Sequence, residues 1–120
     1  MASPEQKTFA APDETREFEH GQLDLVRIGE SDIGRLTLQP GWRWSEHVKP
    51  IVGTDMCEAT HAMYVLSGRM GIAHEDGTEV EVGPGDVVVI EPEHDAWVVG
   101  DATFTAIDFG GYARYGLPKS

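Results

Sequence analysis

Tight-turn signals cut this sequence into pieces too short for ordinary helices. Pro40-Gly41, Pro50, Gly53, Ser67-Gly68, Glu75-Asp76-Gly77 and Gly83-Pro84-Gly85-Asp86 punctuate the stretch from Gly41 to Trp97. They recur at intervals of roughly ten residues, and the segments between them are rich in β-branched and aromatic side chains. A chain divided this way is limited to many short strands. The fold class it predicts is all-β, a sandwich or barrel built around a single core.

The strands can be placed by period-two alternation. Residues 22–28 and 33–38 read as a hairpin around Gly29-Glu30-Ser31-Asp32, with Leu23 and Leu25 on one face. Residues 42–48 read as a third strand, with Trp42 and Trp44 on one face and Arg43, Ser45 and His47 on the other. A loop over 49–55 leads into an apolar strand over 56–66, where Cys57, Ala59, His61, Met63 and Val65 share a face. Residues 69–74 and 78–82 form a hairpin. Residues 87–90, a continuous apolar run, read as a buried strand. Residues 91–95 turn, and 96–99 and 103–109 are the last strands. Residues 13–19 form one helical turn or an extended lead-in anchored by Phe18. No other helix is expected.

At 120 residues the chain forms one domain. The expected organisation is a flexible N-terminal arm over 1–12, a barrel domain over 13–110 and a C-terminal tail over 111–120. The tail carries Tyr112, Tyr115 and Pro118 and is expected to cross the barrel mouth or a partner subunit.

Charge excludes some partners. Twenty-one acids against nine bases give a net charge of −12. Such a chain repels phosphate, so neither nucleic acid nor an anionic membrane surface is an expected partner. A single cysteine, Cys57, rules out an intrachain disulfide. The first residues have no signal-peptide shape, and a cytoplasmic protein is the expectation.

Two segments carry a family resemblance. In the first, Gly41 and His47 have the spacing of glycine, five residues, histidine. Lys49 follows at the next ligand position, and His61 stands where a glutamate precedes a glycine, here Gly68, by six residues. In the second, Gly83-Pro84-Gly85-Asp86 opens a motif whose histidine falls at Ala96 or Trp97 in the two possible registers, with His94 the nearest histidine. With Tyr64-Val65-Leu66-Ser67-Gly68, these segments resemble the cupins, small jelly-roll β-barrels. Residues 20–109 carry the likeness. The wording Trp-Arg-Trp-Ser-Glu-His and His-Asp-Ala-Trp-Val is similar to that of a group of small bacterial single-domain cupins.

The resemblance implies one divalent metal inside the barrel, with His47, His61 and His94 as ligands and Cys57 as a possible fourth. Three imidazoles suit Zn2+ first, with Fe2+, Mn2+ or Ni2+ as alternatives, and leave an open position for water or substrate. Arg43, Ser45, Lys49, Glu46, Asp95 and Trp97 flank these ligands as candidates for substrate contact or for orienting them. Ordinary surface and packing roles remain the alternative for each. The expected function is a metal-binding cupin acting on a small polar or anionic molecule. Lyase, isomerase or dioxygenase chemistry is implied, as in cupins of natural-product pathways. A non-catalytic module that binds a small molecule or a protein partner is the rival reading, and a metal-free scaffold is the third. A homodimer is expected.

Overall fold

The computed structural model describes residues 4–29, 31–52 and 61–109. Among them nine strands run in two antiparallel sheets. The larger sheet contains β1 (Glu14–Phe18), β2 (Gly21–Ile28), β3 (Ser31–Leu38), β4 (His61–Ser67), β7 (Val87–Ile90) and β9 (Phe104–Asp108). Its order is β1-β2-β3-β9-β4-β7. The smaller sheet contains β5 (Arg69–His74), β6 (Glu79–Val82) and β8 (His94–Val99), in the order β6-β5-β8. The two inner faces enclose the core. Leu23, Leu25, Leu36, Leu38, Met63, Val65, Phe104 and Ala106 come from one sheet, and Met70, Ile72, Ala96 and Val98 from the other. Burying each large side chain contributes about 1.5–3 kcal/mol, which makes this face-to-face contact the main source of stability.

Residues 42–48 differ from the strand expected there. Trp44–His47 forms a single helical turn, α1, and Lys49–Val52 forms a second, α2. Trp42, Trp44 and Val48 are all buried, so the period-two signal of the tryptophans coexists with an i, i+4 pair. A long-range contact decides between them: an Asp95 carboxylate oxygen from β8 accepts the Ser45 N–H at 3.0 Å. That bond satisfies one of the donors a helix start leaves open.

Residues 87–90 also differ from expectation. β7 pairs only with β4 among the described strands, so it is an edge rather than a buried strand. Val87 is 77% exposed and Val89 64%, while Ile90 is buried. A run of valines hides the alternation, because the same side chain serves both faces.

Residues 4–12 form no regular element, yet specific contacts fasten them. Lys7 pairs with Asp13 at 3.0 Å, Glu5 accepts the Gly29 N–H at 2.9 Å, and the Arg35 guanidinium lies 5.2 Å from the Phe9 ring centroid. Arg35 also reaches the buried Asp24 carboxylate at 3.1 Å, which accepts from Thr15 and Gln22 as well. Burial pushes the Asp24 carboxyl up, but the bonds from Gln22, Thr15 and Arg35 outweigh it and hold it below the usual carboxylate range.

Gly68 fixes the β4–β5 link. Its φ is +76°, and a Cβ there would sit 2.6 Å from the Thr103 carbonyl oxygen and 2.7 Å from the Phe104 Cα. Both neighbours are backbone and cannot swing aside. Gly68→Ala is therefore expected to lower unfolding stability by about 1–3 kcal/mol or more in a denaturant titration. Asp24 stabilises the fold fully above its unfolded-chain value near ~3.9, and this is lost as pH falls through the lower folded value. The thermal midpoint is expected to fall steeply below about pH 4. Asp24→Asn is expected to cost about 1–3 kcal/mol at neutral pH and to make that acid decline shallower.

Candidate metal centre

His61 and His94 enter the barrel from opposite sheets. His61 begins β4, where it is 3% exposed and faces Ile90 of β7 in register. His94 begins β8 and is also 3% exposed. The turn before it places Glu93 at φ +71°, a left-handed conformation that few non-glycine residues adopt. That turn lets the strand start at His94, two residues before the start expected from the sequence. The two imidazoles meet edge to face, with centroids 5.3 Å apart.

Each ring is pinned through the same nitrogen. His61 Nδ1–H donates to Asp108 Oδ2 at 2.5 Å, a pair with side-chain exposures of 4% and 1%. His94 Nδ1–H donates to the Glu91 carbonyl at 2.6 Å. A proton held on Nδ1 leaves the lone pair on Nε2, one of the two arrangements in which an imidazole can ligate a metal. Both histidines line a cavity of about 20 Å³ whose other walls include Trp42, Trp44, Met63 and Met70. That is room for one water or ion and little more. The buried Trp42 Nε1–H lacks a partner among the described residues, which marks a polar demand at the same wall.

His47 lies elsewhere. Its Nδ1 accepts the Arg43 backbone N–H at 3.0 Å, and its Nε2 lies 3.1 Å from a Glu19 carboxylate oxygen. The His20 ring sits edge-on at 4.7 Å. Glu19, His20 and His47 each offer a ligand atom within 4.8 Å of the others. Among the described residues, His47, His61 and His94 form no such group. With Nδ1 accepting, His47 carries its proton on Nε2 and gives it to Glu19. A metal at Nε2 would require that proton on Nδ1, against the Arg43 N–H. The structure thus brings together two of the three expected histidines and engages the third in closing α1.

The flanking candidates form a clamp. Asp95 accepts from Arg43 Nε at 3.2 Å, from Ser45 N and from its own neighbour Ala96 N. Arg43 also stacks on Trp97 at 4.7 Å, and its backbone bridges to Trp97. Arg43 and Ser45 therefore hold a carboxylate of the protein itself. Glu46 is exposed and Lys49 half-buried. Cys57 lies outside the described residues. Asp108 was not singled out from the sequence, although a signal exists: Phe104, Ala106 and Asp108 share one parity, and all three are buried.

Beyond His94, a groove of about 270 Å³ runs outward past Ile90 and Glu91 to His74 and Thr78. His94 lines both spaces.

Two sheets closed face to face around inward histidines define a cupin-type jelly-roll barrel. The sequence matches the EutQ-like cupin domain over residues 47–108, just over half of the chain. The chain belongs to that cupin family. No curated protein matches it. Among solved structures it is similar to a protein of unknown function from Rhizobium leguminosarum, with 19% identity and a TM-score of 0.63 over 92% of this chain and 98% of that one. It is also similar to the polyketide cyclase RemF from Streptomyces resistomycificus, with 17% identity and a TM-score of 0.62 over 91% and 80%. A sugar phosphate isomerase of the cupin superfamily from Silicibacter pomeroyi shares 16% identity and a TM-score of 0.55 over 78% and 60%. At these identities the likeness is one of fold.

The clamp yields a prediction. Asp95→Ala removes the partner of Arg43 and Ser45 together, and is expected to cost about 1–2 kcal/mol and to weaken the near-ultraviolet circular dichroism of the Trp97 stack. Asp95→Asn keeps an acceptor for Ser45 and is expected to lose less.

Proposed function

We propose that this protein is a metal-binding cupin whose mononuclear centre is held by His61 and His94. One observation carries the reading: two imidazoles from opposite sheets have Nδ1 committed to an acceptor and line the same water-sized cavity. Bound there, a divalent metal would supply Lewis-acid activation of water or of a coordinated oxygen. Asp108 fixes the His61 tautomer and raises the basicity of the ring. The Glu91 carbonyl does the same for His94. Trp42, Trp44, Met63 and Met70 exclude bulk water and keep the local dielectric low. Two neutral nitrogen ligands suit Zn2+, with Fe2+, Mn2+ and Ni2+ as alternatives.

In this reading the protein is a small metalloenzyme of the lyase, isomerase or dioxygenase kind, acting on a small polar or anionic molecule. A cavity of about 20 Å³ has no room for an organic substrate, so a substrate would approach through the groove that reaches His94. The same small volume supports the rival, a module that binds without reacting. We also propose a cytoplasmic homodimer. Tyr64, Leu66, Val87 and Val89 expose apolar surface on one sheet face, the kind of area that subunits cover. Among the described residues no helix is long and apolar enough to cross a membrane.

The test is metal analysis of purified protein after Zn2+ supplementation. About one equivalent is expected for the parent and for His47→Ala. His61→Ala and His94→Ala are expected to hold less than roughly a tenth of that. Asp108→Asn is expected to weaken affinity by ~10–100-fold while retaining the barrel's circular dichroism. A metal-free parent would end the reading. Loss of metal in His47→Ala alone would move the centre to the Glu19, His20 and His47 cluster.

A further inference from the structure

The backbone of Trp42 is held from two sides. Its N–H donates to the Gln39 carbonyl at 3.1 Å, and its carbonyl accepts the Val98 N–H from β8 at 3.0 Å. The next residue, Arg43, bridges to Trp97 of the same strand. The indole this frame carries inward is 2% exposed and lines the barrel cavity. Its Nε1–H is fully buried and has no acceptor among the described residues.

The walls of the cavity offer that donor little. Leu36, Leu38, Ile90 and Ala96 bring apolar side chains. Met63 and Met70 bring thioethers, but sulfur accepts only weakly and neither is bonded to the indole. The Nδ1–H groups of His61 and His94 are given to Asp108 and to the Glu91 carbonyl. A buried N–H left unbonded keeps its full desolvation penalty, and native proteins rarely tolerate one without a bound partner. The void that the indole borders is about 20 Å³, room for one water-sized guest. Voids of purely apolar lining stay dry. This one is bordered by an indole and two imidazoles, carried by the segment before α1, by β4 and by β8. Three polar groups are the surroundings that a buried water needs.

We propose that the cavity binds a single water-sized hydrogen-bond acceptor and that the Trp42 Nε1–H is its donor. In the metal-free protein the guest is a water. In a metal-loaded protein the same acceptor is the ligand that the protein does not supply, and Trp42 is a positioning residue toward it. That second half rests on the metal reading, and the first half does not. The chemical class is narrow. A guest must turn a lone pair toward an N–H and be no larger than one heavy atom, which admits water or hydroxide. An alcohol, a carboxylate or an amine with its carbon chain is too large, and an ammonium has no lone pair to offer.

The experiment is nuclear magnetic resonance of the isotope-labelled full-length protein, stripped of metal with a chelator and then supplemented with Zn2+. Trp42→Phe assigns the Trp42 Nε1–H signal among the three indoles. In the metal-free parent a direct Overhauser cross-peak from that proton to water is expected, with the sign of a bound rather than a passing water. Ala96→Val keeps the indole and adds two methyl groups to a side chain that lines the cavity. It is expected to lose the cross-peak while keeping the barrel's circular dichroism, and the parent measurement stands whether or not this variant folds. On Zn2+ loading, the Trp42 indole signal is expected to shift more than that of Trp97, which lies at the Arg43 clamp. A missing cross-peak in the metal-free parent, or one that survives in a folded Ala96→Val, would overturn the water site. An unmoved Trp42 signal in protein shown by metal analysis to be loaded would overturn the positioning role. Protein that takes up no Zn2+ yet gives the cross-peak would end the metal reading and uphold the water site, so the two failures are distinguishable.

Discussion

The fold hangs on the two-sided pairing of β9. Gly34 through Leu38 of β3 lie along one side of it, and Met63 through Ser67 of β4 along the other. Without β9 the larger sheet would separate into an N-terminal three-stranded piece and a two-stranded remnant. Pairing across such sequence distances is entropically costly to start, and it is sustained by the inward residues of the strand. Phe104 and Ala106 have no exposed surface, and the third inward position is given to Asp108. The strand that closes the sheet therefore also delivers the carboxylate that fixes His61. Site and fold share one register, because a slip of one residue would turn Asp108 outward along with Phe104.

The barrel was legible in the sequence for a simple reason. Turn glycines and alternating residues are local signals, and β2, β3, β5, β6 and β9 need only local information to be placed. Where the reading departed from the structure, the deciding contact was distant in sequence or the pattern was degenerate. The turn at Trp44–His47 depends on Asp95, fifty residues away from Ser45. The exposure of Val87 and Val89 depends on β7 having one neighbour, which four successive apolar residues cannot report. His61 was legible as an inward residue because its parity with Met63 and Val65 is clear. His47 was assigned by spacing alone, and spacing does not say which ring nitrogen is already taken. Asp108 went unread because a carboxylate at an inward position looks like an exception until its partner is seen.

Two histidine clusters on one small chain show how tautomer rather than proximity sorts their roles. Glu19, His20 and His47 are the closer set in ligand-atom distance. The bonds of His47 nevertheless engage both of its ring nitrogens, Nδ1 with the Arg43 N–H and Nε2 with Glu19. His61 and His94 are fewer, but each has its Nδ1–H tied back to an acceptor of the protein. Counting ligand atoms within a radius picks out Glu19, His20 and His47. Following each proton favours the barrel interior.

The two buried indoles have a consequence of a different kind. Trp42 and Trp44 share a wall with His61 and His94, while Trp97 lies at the clamp under Arg43. Two of the molecule's three tryptophans therefore lie on the cavity wall. An open-shell ion arriving there would quench their emission, whereas a closed-shell ion would only shift its colour. Were a metal bound at the proposed centre, the barrel would carry its own optical reporter, with no label needed.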